Sequence, residues 1–238
     1  MKTSGVAGAD GCRSGWVVVR RTYIGPIQAD ILPDATTLIR AVIPSHLVLV
    51  NVPIGLTETG PRQTDRMARR FLDWPRMTSV FSAPIRPVLE AKDYSDASRS
   101  PRDVEDKGMS RQAWGITPTI RGMDAAIREL DPGQSRVREG HREVSFKTWA
   151  GHPVQNAKKK PAGRTEREQL IAAHFGVDLI PSLWPHLRGR GVARDDLIDA
   201  LAMLWSAERL RAGKAQVTAT LRHPLPRRRR QENSPRRY

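Results

Sequence analysis

Ten consecutive residues constrain this chain more than any others: Leu47-Val48-Leu49-Val50-Asn51-Val52-Pro53-Ile54-Gly55-Leu56. An unbroken apolar run that ends in one polar residue and then Pro-Ile-Gly reads as a parallel strand buried on both faces. Its last side chain emerges at the carboxyl edge of a sheet, where open α/β folds place their ligands. Val6-Ala7-Gly8-Ala9-Asp10-Gly11 ends in the same way. If the two strands are neighbours, Asp10 and Asn51 meet at one edge. The pair offers one carboxylate and one amide, where two carboxylates would suggest a metal site.

The surrounding pattern extends this to an α/β domain. Residues 6–10 and 16–20 are apolar runs joined by Gly11-Cys12-Arg13-Ser14-Gly15, which predicts a hairpin. A third strand is expected over Ile27–Leu32. Asp34 then caps a short helix with Leu38, Ile39 and Val42 inward, ended by Pro44. The order is β-hairpin, β, α, β. Beyond Pro53 come a helix over Arg62–Leu72 with Arg62, Arg66, Arg69 and Arg70 on its polar face, a mobile polar loop over Ser95–Lys107, and an amphipathic helix over Met123–Leu130. Residues 57–132 therefore read as a basic helical insertion. A strand over Val137–Phe146, a helix over Thr165–His174 and a long helix over Asp195–Arg211 complete a domain of residues 1–215.

Charge narrows the partner. The 238 residues carry a formal +15, and residues 216–238, with seven Arg and one Glu, hold +6 of it. The body keeps +9, which favours a polyanionic partner and nucleic acid first; an Arg-rich composition would produce the same charge without one. The tail has too little apolar content to fold and is expected to be disordered. The single cysteine, Cys12, excludes an intrachain disulfide and a thiolate zinc site, and nothing nearby activates it. No apolar run approaches the roughly 20 residues of a membrane helix, and no signal-peptide core follows Met1, so a cytoplasmic protein is expected.

The acidic residues form the chemical candidate. Asp196 and Asp199, three apart, share one face of the last helix beside a Leu197, Leu201 and Leu204 stripe. Capping alone explains acids in a first turn, with Asp195 as N-cap, but Asp199 lies too deep for that. Asp10 alone fits an Asp-Gly turn, and Glu143 alone fits a solvent-facing strand residue. As a set, Asp10, Asn51, Glu143, Asp196 and Asp199 would surround one sheet edge. Clustered carboxylates repel unless a cation neutralises them, and hard oxygen ligands suit Mg²⁺ or Mn²⁺. Two such ions can activate water and stabilise a leaving oxygen in phosphodiester cleavage. Phosphate contacts are expected from Lys158, Lys159 and Arg164 before a helix N-terminus, and from Arg62, Arg69 and Arg86; plain solvation is the alternative for each. His141 is a possible ligand or shuttle, though a lone strand His is more often structural.

An ordered set of matches now stands out: Ala7-Gly8-Ala9-Asp10-Gly11-Cys12-Arg13, Gly15-Trp16-Val17-Val18, Val52-Pro53-Ile54-Gly55-Leu56, Arg62, Asp65, Ala68-Arg69, Ser79-Val80-Phe81, Ala83-Pro84, Ser110-Arg111-Gln112, Glu143-Val144-Ser145-Phe146, Lys158-Lys159, Gly163-Arg164, Asp195-Asp196 and Asp199-Ala200. From about Gly5 to Gly213 the chain resembles a family described as predicted nucleases with an RNase H-like fold, domain-of-unknown-function family 429. The resemblance implies a mixed five-stranded sheet with flanking helices. It places metal ligands on Asp10, Asp196 and Asp199, with position 51 and Glu143 completing the catalytic set. The family usually has Asp where Asn51 stands and Pro where Arg142 stands. An amide brings no negative charge, so the resemblance implies a Mg²⁺- or Mn²⁺-dependent nuclease impaired at Asn51. A nucleic-acid-binding relative that lost cleavage is the alternative. An ATP-dependent phosphotransferase ranks last, because such enzymes generally need a second domain of this kind.

Overall fold

A computed structural model describes residues 5–22, 25–42, 46–105, 109–131 and 136–215. The basic tail and Pro44 lie outside the described residues. Five strands form one mixed sheet in the order β3-β2-β1-β4-β5: β1 Gly5–Cys12, β2 Gly15–Thr22, β3 Gln28–Leu32, β4 His46–Val50 and β5 Val137–Glu139. The hairpin strands run antiparallel, whereas β1, β4 and β5 are mutually parallel. Their carboxyl ends therefore share one edge. This is the expected α/β sheet with its hairpin-β-α-β opening, and it is consistent with an RNase H-like arrangement.

Strand alternation sorts the core into two faces. Ala7, Ala9, Val18, Val48, Val50 and Val137 face α1 (Ala35–Val42) and α4 (Arg111–Leu130). Val6, Val17, Val19 and Leu49 face α8 (Arg194–Arg211), behind which lie α5 (Arg142–Ala150), α6 (Pro161–Phe175) and α7 (Leu179–Leu187). Helix α8 is buried on nearly every side from Leu197 to Trp205, each large apolar side chain contributing about 1.5–3 kcal/mol. It rests directly on β1: a Cβ on Gly8 would stand 2.1 Å from the Leu204 backbone nitrogen. Only glycine permits that approach.

Several elements depart from the sequence reading. The expected strand over Val137–Phe146 stops at Glu139, and α5 begins at Arg142, so Glu143 sits in a helix. Of the Ser95–Lys107 stretch expected to be a mobile loop, the described residues are helical, within α3 (Tyr94–Glu105). Helix α4 starts at Arg111 rather than Met123 and carries Pro118 inside it. Its Ile120, Met123, Ala126 and Ile127 join the main core, so this end of the 57–132 segment is a full layer of the domain. The Arg62–Leu72 helix is α2, Gln63–Leu72, with Arg62 at its N-cap position. Asp34 caps α1 as expected, accepting from the Thr37 N–H at 2.7 Å.

Candidate functional site

Asp10 and Asn51 leave the carboxyl ends of β1 and β4 on the same face of the sheet. Gly8 and Leu49, two residues earlier on each strand, both contact the α8 layer. The Asn51 N–H continues the ladder to Ala9 O at 3.0 Å. Asn51 Nδ2 then donates to Asp10 Oδ1 at 2.9 Å, and Asn51 Oδ1 accepts the Arg142 N–H at 3.2 Å. The two positions at which the chain departs from the family it resembles are therefore in contact, 91 residues apart.

Helix α8 supplies the other acids. Asp199 is 1% exposed; its Oδ2 accepts from Lys158 Nζ at 3.0 Å and lies 3.5 Å from Arg142 Nε. Lys158 arrives there because Gly163, at the start of α6, lets the Ala157 carbonyl pack against it, 2.1 Å from where a Cβ would stand. Asp196 turns back to accept the Ala193 N–H at 2.8 Å, so Asp196, rather than Asp195, satisfies the start of α8. Asp195 instead pairs with Arg164 at 3.2 Å.

Burial, first, and then the charge of Asp199 push the Asp10 carboxyl well above the ordinary carboxylate range, against the Asn51 hydrogen bond. Asp199 is raised chiefly by burial, although Arg142 and Lys158 oppose the shift. Asp196 is raised by burial too. Burial works against the Arg142 charge, yet Asp199 and Asp10 hold its guanidinium firmly protonated. His141 is pushed down to about 4 by burial and by Arg142, which leaves the imidazole neutral at pH 7. Burial and the nearby Asp196 raise the Cys12 thiol, in keeping with its having no assigned chemistry.

Of the expected set, Asp10, Asn51, Asp196 and Asp199 come together and Glu143 stands beside them. Glu143 is nevertheless committed elsewhere: both its oxygens accept from Arg167 Nη2, at 2.8 and 2.9 Å, with both residues buried. Among the expected phosphate contacts, Lys158 and Arg164 reach the site and Lys159 is exposed next to it. Arg62 does not. It is 1% exposed and bonds to Glu139, Asp65 and the Ile54 carbonyl, so its expected substrate role is corrected to a structural one. Arg69 braces the following loop through Val80 O and Ser82, and Arg86 pairs with Asp124 and Glu58. Arg142 and Arg167 were not read as site residues. An arginine early in a helix, as Arg142 is in α5 and Arg167 in the second turn of α6, carries no sequence sign of a buried carboxylate beside it.

The chain's own donors take one oxygen each of Asp10, Asp196 and Asp199, from Asn51, the Ala193 N–H and Lys158, and both oxygens of Glu143, from Arg167. Glu143 is therefore not placed to hold a metal, whereas Asp10, Asp196 and Asp199 each keep a second oxygen. Among the described residues, no helix is long and apolar enough to cross a membrane.

A family model described as "Protein of unknown function (DUF429)" matches residues 8–223, and the chain belongs to that family. No curated protein and no solved structure matches it.

Proposed function

We propose that this DUF429 protein binds nucleic acid along the basic rim of the Asp10–Asp199 edge, and that this edge holds the phosphodiester backbone without hydrolysing it. The observation that carries the reading is the Asn51 bridge. Its amide donates to Asp10 and accepts from the Arg142 N–H. A carboxylate at position 51 could not donate to Asp10 and would repel it, which creates a demand for an added cation. Here Arg142 and Lys158 supply fixed positive charge at Asp199 and meet part of that demand from within. Lys158, Lys159 and Arg164 border the acids with cations, and the body carries +9 even without its tail. Affinity then comes from neutralised phosphates and falls steeply with salt.

A metal-dependent nuclease is the second reading, favoured by one observation. Asp10 and Asp199 are buried near each other with their carboxyls raised, a residual electrostatic cost that a divalent ion would relieve.

Labelled DNA and RNA incubated with Mg²⁺ or Mn²⁺ separate the two. Wild type, Asn51→Asp and Asp10→Ala are assayed side by side for binding and for cutting. Wild type is expected to bind all strands in a salt-dependent way and to cut none. Cutting by wild type that disappears in Asp10→Ala establishes the nuclease instead. Cutting gained by Asn51→Asp supports the reading, since it identifies the amide bridge as the block. A folded wild type that binds no nucleic acid overturns both readings.

A further inference from the structure

The described residues contain four exposed large hydrophobic side chains, and three of them lie within seven residues of one another: Phe71, Trp74 and Met77, at 36%, 73% and 37% exposure. They cap the carboxyl end of α2. Trp16 and Trp205, by contrast, are buried at 3% and 6%. An indole left almost wholly in water forgoes most of its transfer free energy, so nothing in the folding of this chain accounts for its place.

Trp74 follows the basic last turn of α2, and its backbone N–H bonds to the Asp73 carboxylate at 2.7 Å. Arg66 and Arg70 are exposed, one turn apart on α2, with no ion-pair partner among the described residues. Like charges at that spacing repel and weaken a helix unless an anion lies between them. Lys147 of α5 stands 4.8 Å from the Phe71 ring centroid and donates to the Phe71 carbonyl. On the other side Arg76 donates to Gln155 O at 2.9 Å. That bond ties the Trp74 turn to the loop whose Lys158 reaches Asp199. The aromatic turn is thus linked through Arg76 and Gln155 to the lysine loop, and through Lys158 to the acidic edge.

We infer that Trp74, with Phe71 beside it, is a base-stacking platform for single-stranded nucleic acid, and that Arg66 and Arg70 guide the strand's phosphates toward the Asp10–Asp199 edge. The inference rests on the nucleic-acid reading above and adds strandedness and a path to it. Proteins that hold single strands combine a positive track with aromatic faces on which bases stack. A duplex keeps its base faces covered, and an apolar protein partner would gain nothing from the surrounding arginines.

The test uses the full chain and four ligands: a short single-stranded DNA, its RNA counterpart, the same DNA backbone with abasic sites, and the matched duplex. Affinities are measured at fixed low salt for wild type, Trp74→Ala, Trp74→Phe and Arg70→Glu. Trp74→Ala is expected to weaken single-strand binding about 5- to 150-fold, the range for losing one stacked base, and to leave duplex binding within about twofold. Trp74→Phe should retain most of the affinity. The abasic strand should bind wild type as weakly as the intact strand binds Trp74→Ala. Arg70→Glu should weaken every ligand. Equal affinity of wild type for intact and abasic strands, unchanged in Trp74→Ala, overturns the platform while the nucleic-acid reading survives. No binding of any ligand by wild type overturns both. A wild-type dimer in sedimentation that Trp74→Ala converts to monomer assigns the patch to a second copy of the chain and also overturns the platform.

Discussion

Two buried clusters of charge sit at the carboxyl edge of the same sheet, on opposite faces, and they are built differently. On the α4 face Arg62 joins Glu139 and Asp65, with contacts of 2.6 Å to each. The acids are completed by backbone donors, the Ile54 N–H at Glu139 and the Ala83 N–H at Asp65. Burial alone would lower the Arg62 pKa, but its two carboxylates raise it above that of a free arginine. On the α8 face the ion pairs of Asp10, Asp196 and Asp199 are limited to Arg142 and Lys158 at Asp199, side chains about a quarter exposed. All three acids stay raised there. The first cluster is saturated and serves the fold. The second carries more negative charge than the chain neutralises, and such mismatched groups mark functional sites. Glu143–Arg167, adjacent to the second cluster, belongs by its geometry to the first kind.

The comparison is broken most severely by removing one partner of a saturated pair. Arg167→Ala leaves Glu143 buried without a hydrogen-bonded cation, with only Arg142 Nε at 4.0 Å, and should cost about 3–5 kcal/mol in denaturant unfolding. Replacing both partners with apolar residues of similar volume should recover most of that loss. A loss for Arg167→Ala below about 1 kcal/mol would remove the distinction between the clusters.

At the other cluster the sign should reverse. Asp10→Asn removes a buried charge that repels Asp199, and its side-chain oxygen can still accept from Asn51. A gain of roughly 1 kcal/mol, or about 2–4 °C in Tm for a chain of this size, is expected by calorimetry. Destabilisation by Asp10→Asn would mean that the acidic cluster is as saturated as the other.

Acid sharpens the contrast. A carboxyl raised in the folded state holds its proton more tightly there than in the unfolded chain. The stability it contributes is complete below the unfolded value of 3.8 and is lost as pH rises through the folded value. The advantage of Asp10→Asn over wild type should therefore shrink as pH falls toward 4. His141 acts in the opposite direction. Depressed from 6.5 to about 4, it contributes stability above 6.5 that is lost as pH falls between those values. Urea unfolding of wild type, Asp10→Asn and His141→Gln from pH 7 to 4 resolves the two contributions.

The smallest effect belongs to Lys158→Ala. Its ammonium is partly exposed, so stability should change by less than about 1 kcal/mol. If it also contacts a phosphate, the slope of log K against log salt should lose about one unit. An unchanged slope assigns Lys158 to Asp199 alone.

Much of the sheet was legible because strands announce themselves by alternation and punctuation. Val6 to Asp10, Val17 to Val19 and Leu47 to Val50 each needed only local pattern. Glu143 was misplaced because Glu143 to Phe146 alternates polar and apolar residues, and β5 is only three residues long. The early turns of α4 were hidden by Gly115 and Pro118, weak helix formers tolerated because Thr117 and Ile120 are buried against neighbouring layers. Arg62 was read as surface because arginines usually are; only the acids arriving from α2 and β5 make its burial possible.

The sequence by itself determined the α/β class, the order of elements at the start and the strand ends at which Asp10 and Asn51 emerge, since apolar periodicity and strand-end position are local properties; the pairing of β1 with β4 that joins them is not. Tertiary structure alone decided which acids remain frustrated. That outcome depends on whether Arg142, Lys158 and Arg167, distant along the chain, arrive within hydrogen-bonding distance of a particular carboxylate in a buried site. Charge compensation is set by distances of a few ångströms, and sequence separation does not encode them.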